Sequence, residues 1–526
     1  MTGSVLWFFL VATGVIGGAV CLGYALWQFL ALALRDAAAA AFGPRTPGAV
    51  DPRLFAAPGG EPARPAYWAR QMWWDSRAAV NEAALTVRYL LARHWLSTVI
   101  RDRLLRGRHG GTDELAGSAF GRLFFRLLVP GYTVAAVLSA VLSAVLLLGV
   151  ALVFAVQLVL VALVALAGVL AGRTADALWR LTRGIRMTCP YPDCYRPFPL
   201  AVHVCPDCRA AHRELRPGRF GALRHVCRCG RGLPTTALTG RRKLATRCPY
   251  CDQSLPAAIG TTRVVHLPLV GGTSAGKTML MAAMLDGLRS WSYESALTVE
   301  YATPADRHES HTRLDASGWA LKTQGGQPRA LMLLIGLGRR RRLLYLYDPM
   351  GESLRDADVV RRQGYLAHAD GVVLVADVLA SPVVRRSLRA GDHQLAAAAR
   401  PADLGPVETY SGVTGELQGL GGRRARLPVA TVVTKRDVLD RLTSLPSPTP
   451  PVEAWLRTIG LDDLVSSLGH DFAADRYWAV SARAATGAGA LPSEQRRAAE
   501  PVLWLLSRTG LRVGALVPRD GGGGSG

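Results

Sequence analysis

The clearest chemical signal in the sequence is a glycine-rich stretch that ends in a lysine and a threonine. Residues 271–278 read GGTSAGKT and fit the phosphate-loop pattern G-x4-G-K-[ST]. The apolar run RVVHLPLV precedes the stretch, and the helical pattern TMLMAAMLDGLRSW follows it. Because backbone N–H groups of such a loop and the following helix N-terminus bind phosphate oxygens, we predict a nucleotide site here. Its expected contact residues are Gly271, Gly272, Thr273, Ser274, Ala275, Gly276, Lys277 and Thr278.

Two side chains of this loop and one downstream acid predict phosphate chemistry with Mg2+. We expect the Lys277 ammonium to bridge the β- and γ-phosphates and the Thr278 hydroxyl to bind Mg2+. Residues 331–347 read as a strand, a basic turn and a second strand, and Asp348 follows them in the motif Asp-Pro-Met-Gly. We expect Asp348 to hold Mg2+ through water and the Gly351 N–H to sense the γ-phosphate.

Two further motifs follow apolar strands and predict recognition of guanine. Residues 428–433 lead into Thr434-Lys435-Arg436-Asp437, and RYWAVSAR ends in Ser481-Ala482-Arg483. The Asp437 carboxylate would accept hydrogen bonds from guanine N1–H and the exocyclic amine, a pair of donors that adenine lacks. Lys435 would lie along the base and over the phosphate loop, and a backbone N–H within 481–483 would reach guanine O6. The predicted ligand is therefore GTP with Mg2+.

These four motifs, in this order and each behind an apolar strand, resemble the translation-factor-related class of P-loop GTPases over residues 262–512. The resemblance implies an α/β domain with a mostly parallel sheet and one antiparallel edge hairpin, formed by residues 331–347. It also implies a threonine in the effector-side switch. Thr323 is our choice because it precedes the second strand, and Thr312 and Thr303 are alternatives.

Two departures from the GTPase pattern predict slow hydrolysis. Glu352 follows Gly351 where the family often has a water-orienting glutamine, and a carboxylate beside a γ-phosphate is repelled. Glu352 is therefore a weak catalytic candidate. Thr273 stands where many rapidly hydrolysing relatives have glycine, which leaves less room beside the γ-phosphate. We expect help from a partner protein.

Eight of the nine cysteines form four close pairs, which predict two zinc sites of four thiolates each, with iron–sulfur as the alternative. The pairs are Cys189 and Cys194, Cys205 and Cys208, Cys227 and Cys229, and Cys248 and Cys251. Sequential pairing would join the first two pairs and the last two, and crossed pairing stays open. Sites with four thiolates are closed and structural. The nearby histidines, which are His203, His212 and His225, are expected at the surface or in packing.

The composition predicts a membrane-embedded part, because half of the residues are hydrophobic and only 19% are charged. Residues 1–34 contain no charge and predict one spanning helix. Residues 127–172 are also uncharged and too long for one straight crossing, so we expect a helical hairpin that turns near Gly149. Arginines on both flanks of this stretch place the N-terminus outside and the rest inside the cell. Three spans are predicted, and two spans with a tilted or re-entrant element are the alternative.

The remaining segments complete a multi-domain organisation. We expect a basic linker with an amphipathic helix over 35–126, a juxtamembrane segment over 173–186, a two-zinc knuckle or ribbon domain over 187–256, and a flexible tail over 513–526. The net charge of +23 fits cytoplasmic segments beside a membrane, and nucleic-acid binding is possible but not favoured.

The apolar segments and the cysteine-rich segment that precede residue 262 look like those of bacterial membrane-anchored double-GTPase proteins, which are thought to act in defence or signalling operons. Expected partners are the guanine nucleotide, the lipid bilayer, a protein effector or activator, and a second copy in a GTP-dependent homodimer.

Overall fold

A computed structural model of the protein describes residues 2–42, 60–66, 69–95, 119–191, 194–312, 330–348, 366–419, 427–487 and 489–516. The chain divides into two compact units. The first comprises residues 1–172 and 217–228, and the second comprises residues 173–216 and 229–526.

The first unit is mainly helical. Its helices are α1 (Thr2–Phe42), α2 (Ala69–Trp95) and most of α3 (Ala119–Arg183). A short strand β1 (Ala63–Arg64) pairs antiparallel with β6 (Arg224–Cys227). Two helical segments, Ser4–Tyr24 and Ala140–Arg183, are long and apolar enough to cross a bilayer by length and composition.

The predicted hairpin near Gly149 is wrong, because α3 continues without a break from Ala119 to Arg183. Gly149 lies between leucines and valines, and no proline or polar turn residue accompanies it. A single glycine costs a helix only about 1 kcal/mol, so backbone hydrogen bonding carries on through it. The part of the chain that the structure describes therefore contains two apolar helices of spanning length rather than three.

The cysteine-rich part of the second unit consists of turns and very short strands. Strand β2 (Met187–Thr188) pairs with β3 (Pro197–Phe198), and a four-stranded sheet has the order β5-β4-β8-β9. The other strands are β4 (Val202–Val204), β5 (Ala211–His212), β7 (Gly232–Pro234), β8 (Thr246–Arg247) and β9 (Ser254–Leu255). Two 3-10 turns cover Arg241–Lys243 and Ala257–Gly260. Strands this short bury little apolar area, so such a fold needs cross-links or metal.

The rest of the second unit is a seven-stranded sheet, flanked by helices, with the order β11-β12-β13-β10-β14-β15-β16. Its strands are β10 (Arg263–Val270), β11 (Leu297–Tyr301), β12 (Leu331–Leu337), β13 (Arg340–Tyr347), β14 (Val372–Ala376), β15 (Pro428–Val433) and β16 (Ala474–Ala479). Its helices are α4 (Lys277–Glu294), α5 (Pro304–Thr312), α6 (Pro382–Ser387), α7 (Ala390–Ala398), α8 (Pro406–Gly419), α9 (Arg436–Leu439), α10 (Val452–Thr458), α11 (Asp462–Asp471) and α12 (Pro492–Arg508). Further 3-10 turns cover Leu366–His368, Val378–Ala380 and Gly514–Leu516.

The predicted hairpin of residues 331–347 is present as β12 and β13, and the pairings from β13 to β16 are parallel. The prediction that this hairpin forms the edge of the sheet is wrong. Strand β11 pairs antiparallel with β12 and forms the edge instead. Its five residues, LTVEY, alternate between apolar and polar, so one face is buried while the other tolerates solvent.

Successive side chains of β10 belong to the hydrophobic cores on opposite faces of the sheet. Val265, Leu267 and Leu269 pack with apolar residues of α4 and α12. Val264 and Val270 belong to the core of the opposite face, which also contains Met187, Cys189, Tyr195 and Phe198 of the cysteine-rich part. The cysteine-rich part and the sheet therefore share one hydrophobic core.

Candidate nucleotide-binding site and metal centres

The residues predicted to bind the nucleotide lie together because five strands of the sheet run parallel and end on the same side. Carboxyl ends of parallel strands meet at a common edge, where ligands of open α/β sheets bind. The residues that follow these strands are Gly271 after β10, Asp348 after β13, Asp377 after β14, Thr434 after β15 and Ser481 shortly after β16.

The phosphate loop has the backbone that its glycines predict. Gly276 caps α4 in the left-handed region at φ 91°, and Ser274 has φ 66°. The Lys277 ammonium donates to the carbonyl oxygens of Gly271 at 2.9 Å and Gly272 at 2.8 Å. Burial lowers the pKa of Lys277, while the negative charges of Asp348 and Asp403 act in the opposite direction. A desolvated ammonium at the mouth of the loop is well placed to attract phosphate oxygens.

Thr278 and Asp348 fit a magnesium site. The Thr278 Oγ1 donates to Asp348 Oδ2 at 2.8 Å, and Asp348 is only 2% exposed. Hydroxyl and carboxylate oxygens beside a phosphate-binding lysine are the ligand set that Mg2+ prefers. When bound, Mg2+ neutralises charge that develops on the phosphates.

The switch residues are only partly described. Gly351, Glu352 and Thr323 lie outside the described residues, and the side chain of Thr312, at the end of α5, does as well. The remaining alternative, Thr303, hydrogen-bonds through its hydroxyl and its N–H to the Asp306 carboxylate at the start of α5. In this conformation Thr303 stabilises a helix end.

Asp437, the acid predicted to read the base, is hydrogen-bonded to a serine. Ser481 Oγ donates to Asp437 Oδ1 at 3.0 Å, which leaves the other carboxylate oxygen for the base. The Ser481 N–H donates to Glu494 Oε2 at 3.1 Å. The Ser481 N–H is therefore engaged, and the contact with guanine O6 stays a prediction for Ala482 and Arg483.

Thr434 and Lys435 connect the base-reading loop to the rest of the site. Thr434 is buried, and its Oγ1 donates to the carbonyl oxygen of Ala275 in the phosphate loop at 2.8 Å. Lys435 has φ 59°, and its Nζ contacts Asp377 Oδ2 at 2.6 Å and the Arg400 carbonyl oxygen at 2.7 Å. The expected position of Lys435 over the phosphate loop is thus replaced here by an ion pair with Asp377.

Sequence reasoning missed Asp377 and Asp403. Asp377 directly follows β14, which ends at Ala376, and the Asp377 side chain is fully buried. A lone acid at the end of an apolar run, in the same place as Asp348, was the available signal. Asp403 lies in a long insertion between strands, and no local pattern marks it.

The arginine run of residues 339–342 lies far from the predicted nucleotide. Arg342 is in register with Arg263 at the start of β10, whereas the phosphate loop follows Val270 at the other end of that strand. Eight strand residues span roughly 25 Å. This run therefore cannot supply an arginine to its own nucleotide site.

The first cysteine cluster combines the first and last pairs, so sequential pairing is wrong. It comprises Cys189, Cys194, Cys248 and Cys251. Sγ atoms of Cys189 and Cys251 are 3.6 Å apart, and those of Cys194 and Cys248 are 3.8 Å apart. Tetrahedral zinc with Zn–S bonds of about 2.3 Å puts its sulfurs about 3.8 Å apart, so the thiols fit the ion.

The pairing follows from the antiparallel sheet. Strand β4 leads into Cys205 and strand β8 leads into Cys248, and the two strands are antiparallel. Their carboxyl ends therefore lie at opposite ends of the sheet, which separates Cys248 from Cys205. In the second cluster the Sγ atoms of Cys205 and Cys229 are 3.7 Å apart, and Cys208 joins them. Cys227 is the cysteine that remains for the fourth place.

All four cysteine turns share one backbone feature. The residue after each second cysteine has a positive φ, as knuckle turns require. These residues are Tyr195 at 41°, Arg209 at 57°, Gly230 at 93° and Asp252 at 58°. The repeated geometry indicates that each pair is arranged to hold an ion.

The histidines near the cysteines were expected either at the surface or in packing, and the structure shows that they are buried packing residues. His203 is 5% exposed, and His212 and His225 are fully buried. Burial lowers the pKa of His203 to about 3. It is therefore neutral at ordinary pH.

The comparison with protein families agrees with this geometry. Residues 265–490 match the family model Double-GTPase 2. A search of curated proteins found no match. Among solved structures, the chain is similar to the Arl6 (BBS3) small GTPase from Trypanosoma brucei with a bound nucleotide analogue, at 14% identity and a TM-score of 0.23. That likeness covers 47% of this chain and 98% of the other. Residues 265–490, which carry the phosphate loop, Asp348 and the base-reading motif, are thus a P-loop GTPase domain of the double-GTPase family.

Proposed function

We propose that the protein is a membrane-anchored GTP-binding switch that hydrolyses GTP slowly and recruits a protein partner at the inner membrane face. The observation that carries the proposal is that three kinds of binding group lie together at the carboxyl ends of the parallel strands. Lys277 supplies a phosphate-binding cation, Thr278 and Asp348 supply magnesium oxygens, and Asp437 supplies a base-reading carboxylate.

Nucleotide choice is the first test. The full chain in detergent should bind labelled GTP with Mg2+, and unlabelled GTP and GDP should compete while ATP does not. Lys277→Ala should abolish binding, because it removes the phosphate-binding ammonium. Asp437→Asn should shift the preference towards xanthosine nucleotides, since the amide keeps an acceptor for N1–H but presents an NH2 donor to the exocyclic position, which suits xanthine O2 and not the guanine amine. Equal competition by ATP and GTP would refute the base-reading role of Asp437.

Hydrolysis separates a slow enzyme from a GTP-gated scaffold. We propose slow hydrolysis because Glu352 and Thr273 depart from the pattern of fast GTPases. A single-turnover assay with the full chain should show phosphate release above the background of the Lys277→Ala variant. Release at background, even with membranes and cell extract added, would favour the scaffold.

Membrane anchoring rests on two apolar helical segments, Ser4–Tyr24 and Ala140–Arg183. We propose that the apolar parts of these segments, before residue 173, cross the membrane and that the arginine-rich flank after residue 172 lies on the cytoplasmic side. Two crossings return the chain to the side from which it started, so the N-terminus is then cytoplasmic as well and not outside as the sequence predicted. Carbonate-resistant membrane association would support the first statement. Protection of a tag at residue 517 from external protease, in intact cells, would support the second.

We further propose that the cysteine clusters hold two structural zinc ions. Burial raises the pKa of the Cys189 thiol, so a thiolate there requires a cation beside it. Elemental analysis should find about two zinc ions per chain, and Cys189→Ser should remove about one of them. An iron content with visible absorption would identify an iron–sulfur protein instead.

A further inference from the structure

The segment of residues 400–405 occupies the mouth of the nucleotide site. It connects α7 to α8, between strands β14 and β15, where the sequence shows no recognised motif. It belongs to the same compact unit as the phosphate loop. Its contacts lead to a proposal that rests on the GTP-binding function proposed above.

The segment is fixed from behind by the base-reading lysine and a buried acid. Asp377 Oδ2 accepts from the Ala402 N–H at 2.8 Å and from Lys435 Nζ at 2.6 Å. Lys435 Nζ also donates to the Arg400 carbonyl oxygen at 2.7 Å. Arg400 has φ 48°, a left-handed conformation that non-glycine residues seldom adopt. The ion pair thus holds the segment in a defined position.

At its front the segment bonds reciprocally to the phosphate loop. Asp403 Oδ1 accepts from the Thr273 N–H at 2.5 Å, and the Asp403 N–H donates to the Thr273 carbonyl oxygen at 3.2 Å. A Cβ on Gly272 would lie 2.7 Å from Asp403 Oδ1 and 2.9 Å from Leu404 N. The two backbones therefore touch, and glycine at position 272 is what allows it.

The Asp403 carboxylate occupies a donor that the loop otherwise offers to phosphate. N–H groups of a phosphate loop bind anionic oxygens, and Thr273 is the loop residue placed beside the γ-phosphate by the motif. The Asp403 carboxylate accepts a hydrogen bond from that N–H, and its negative charge acts on Lys277. A γ-phosphate that enters must displace Asp403 or lie against a like charge.

We propose that Asp403 is a specificity-determining residue that competes with the γ-phosphate and so favours GDP over GTP. GTP binding moves Asp403 away from Thr273. Because Arg400 and Ala402 are bonded to Lys435 and Asp377, this displacement also loosens the contacts around the base-reading lysine. Segment 400–405 then becomes a third nucleotide-sensitive element, additional to the two switches of the GTPase pattern.

The test compares affinities of the full chain, in detergent with Mg2+, for GDP and for the non-hydrolysable analogue GppNHp. Asp403→Asn and Asp403→Ala should raise the affinity for GppNHp about tenfold, the scale of one removed like charge, while the affinity for GDP changes less than about twofold. Asp463→Asn is the matched control, because Asp463 is an exposed acid on α11, and it should change neither affinity.

A second readout follows the segment itself. Hydrogen exchange of residues 400–405 in the wild type should be faster with GppNHp than with GDP. If the two affinities keep their ratio in both Asp403 variants, or if exchange of the segment is the same with both nucleotides, the proposal is overturned while GTP binding stands. If the variants instead lose phosphate release at unchanged affinities, Asp403 acts on hydrolysis and the proposal is also overturned. If the wild-type protein binds no guanine nucleotide, the proposed function itself is wrong.

Discussion

The ring of Tyr195 meets the ring of Tyr347 edge to face, with centroids 5.9 Å apart. Tyr195 directly follows Cys194 of the first cysteine cluster, and Tyr347 directly precedes Asp348 of the predicted magnesium site. The Pro190 carbonyl oxygen also accepts from the Ala330 N–H at 3.2 Å, just before β12. The first cysteine cluster and the predicted nucleotide site are therefore joined through this pair of aromatic rings and a shared core.

This contact predicts that Tyr195→Ala weakens the nucleotide domain as well as the cysteine cluster. Tyr195 is 4% exposed, and removing a buried aromatic ring costs about 3–5 kcal/mol. We expect a lower melting temperature and weaker GTP binding, measured by thermal unfolding and nucleotide titration of the full chain. Tyr195→Phe keeps the ring and should stay near the wild type. An alanine variant that loses zinc but binds GTP normally would show that the two sites are independent.

A second prediction concerns the buried ion pair of Asp176 and Arg241. Arg241 Nη2 contacts Asp176 Oδ2 at 2.8 Å, both side chains are 7% exposed, and Asp176 also accepts from the Ala237 N–H. This pair joins the last turns of α3 to the cysteine-rich part. Asp176→Ala should cost about 3–5 kcal/mol of unfolding free energy, because it leaves a guanidinium buried without its partner.

The control for this change is Glu453→Ala. Glu453 forms an exposed i,i+4 pair with Arg457 at 3.1 Å on α10, with side chains about half exposed. Such pairs contribute about 0.3–0.5 kcal/mol, so the control should unfold almost as the wild type does. Denaturant titration of both variants checks the contrast, and equal losses would rule out a special role for Asp176.

The sequence predicted the nucleotide site better than the membrane part, and the reason is physical. Phosphate loops and base-reading loops need particular residues at fixed spacing behind strands, so Lys277, Asp348 and Asp437 could be proposed from local pattern alone. The 127–172 stretch has only apolar character, which fits either a hairpin or the continuous α3. The local sequence does not distinguish a hairpin from a continuous helix, because no turn residue marks a break.

Contacts between distant segments were the other failure. The pairing of Cys189 with Cys251 depends on how β4 and β8 pair, and the contact of Asp403 with Thr273 joins residues 130 positions apart. Neither leaves a periodic pattern in the sequence. Asp377 was easier to predict. A buried acid at the end of a strand needs a charged partner, and Lys435 was already a candidate site residue.

A third prediction compares two threonines at β15. Thr434 Oγ1 donates to the Ala275 carbonyl oxygen, whereas Thr431 Oγ1 is fully buried and has no hydrogen-bond partner among the described residues. Thr434→Val should cost about 1–3 kcal/mol and weaken GTP binding, because it leaves a phosphate-loop carbonyl unsatisfied. Thr431→Val, the same change three residues earlier, should be neutral or stabilising, since it removes an unpaired hydroxyl. Thermal unfolding and GTP titration decide, and equal effects at both positions would contradict the assignment.

The last prediction concerns acid stability and His266. This histidine is buried in the core, where desolvation, together with a smaller charge repulsion from His368, lowers its pKa to about 3. Its ring nitrogen Nδ1 lies 3.0 Å from the Tyr347 hydroxyl. Between the ordinary pKa of about 6.5 and the folded value, the unfolded chain binds a proton at this residue and the folded chain does not. Stability should therefore fall as the pH drops through this window, by up to about 1.4 kcal/mol per pH unit.

His266→Gln removes this titration and should flatten the dependence. The measurement is the unfolding free energy of the wild type and the variant between pH 7 and pH 4.5, compared as a difference so that acid effects on the cysteine clusters cancel. The variant should start less stable at pH 7, because it disturbs the contact with Tyr347, and the gap should close as the pH falls. Parallel curves would mean that His266 is protonated in the folded state or is not buried as described.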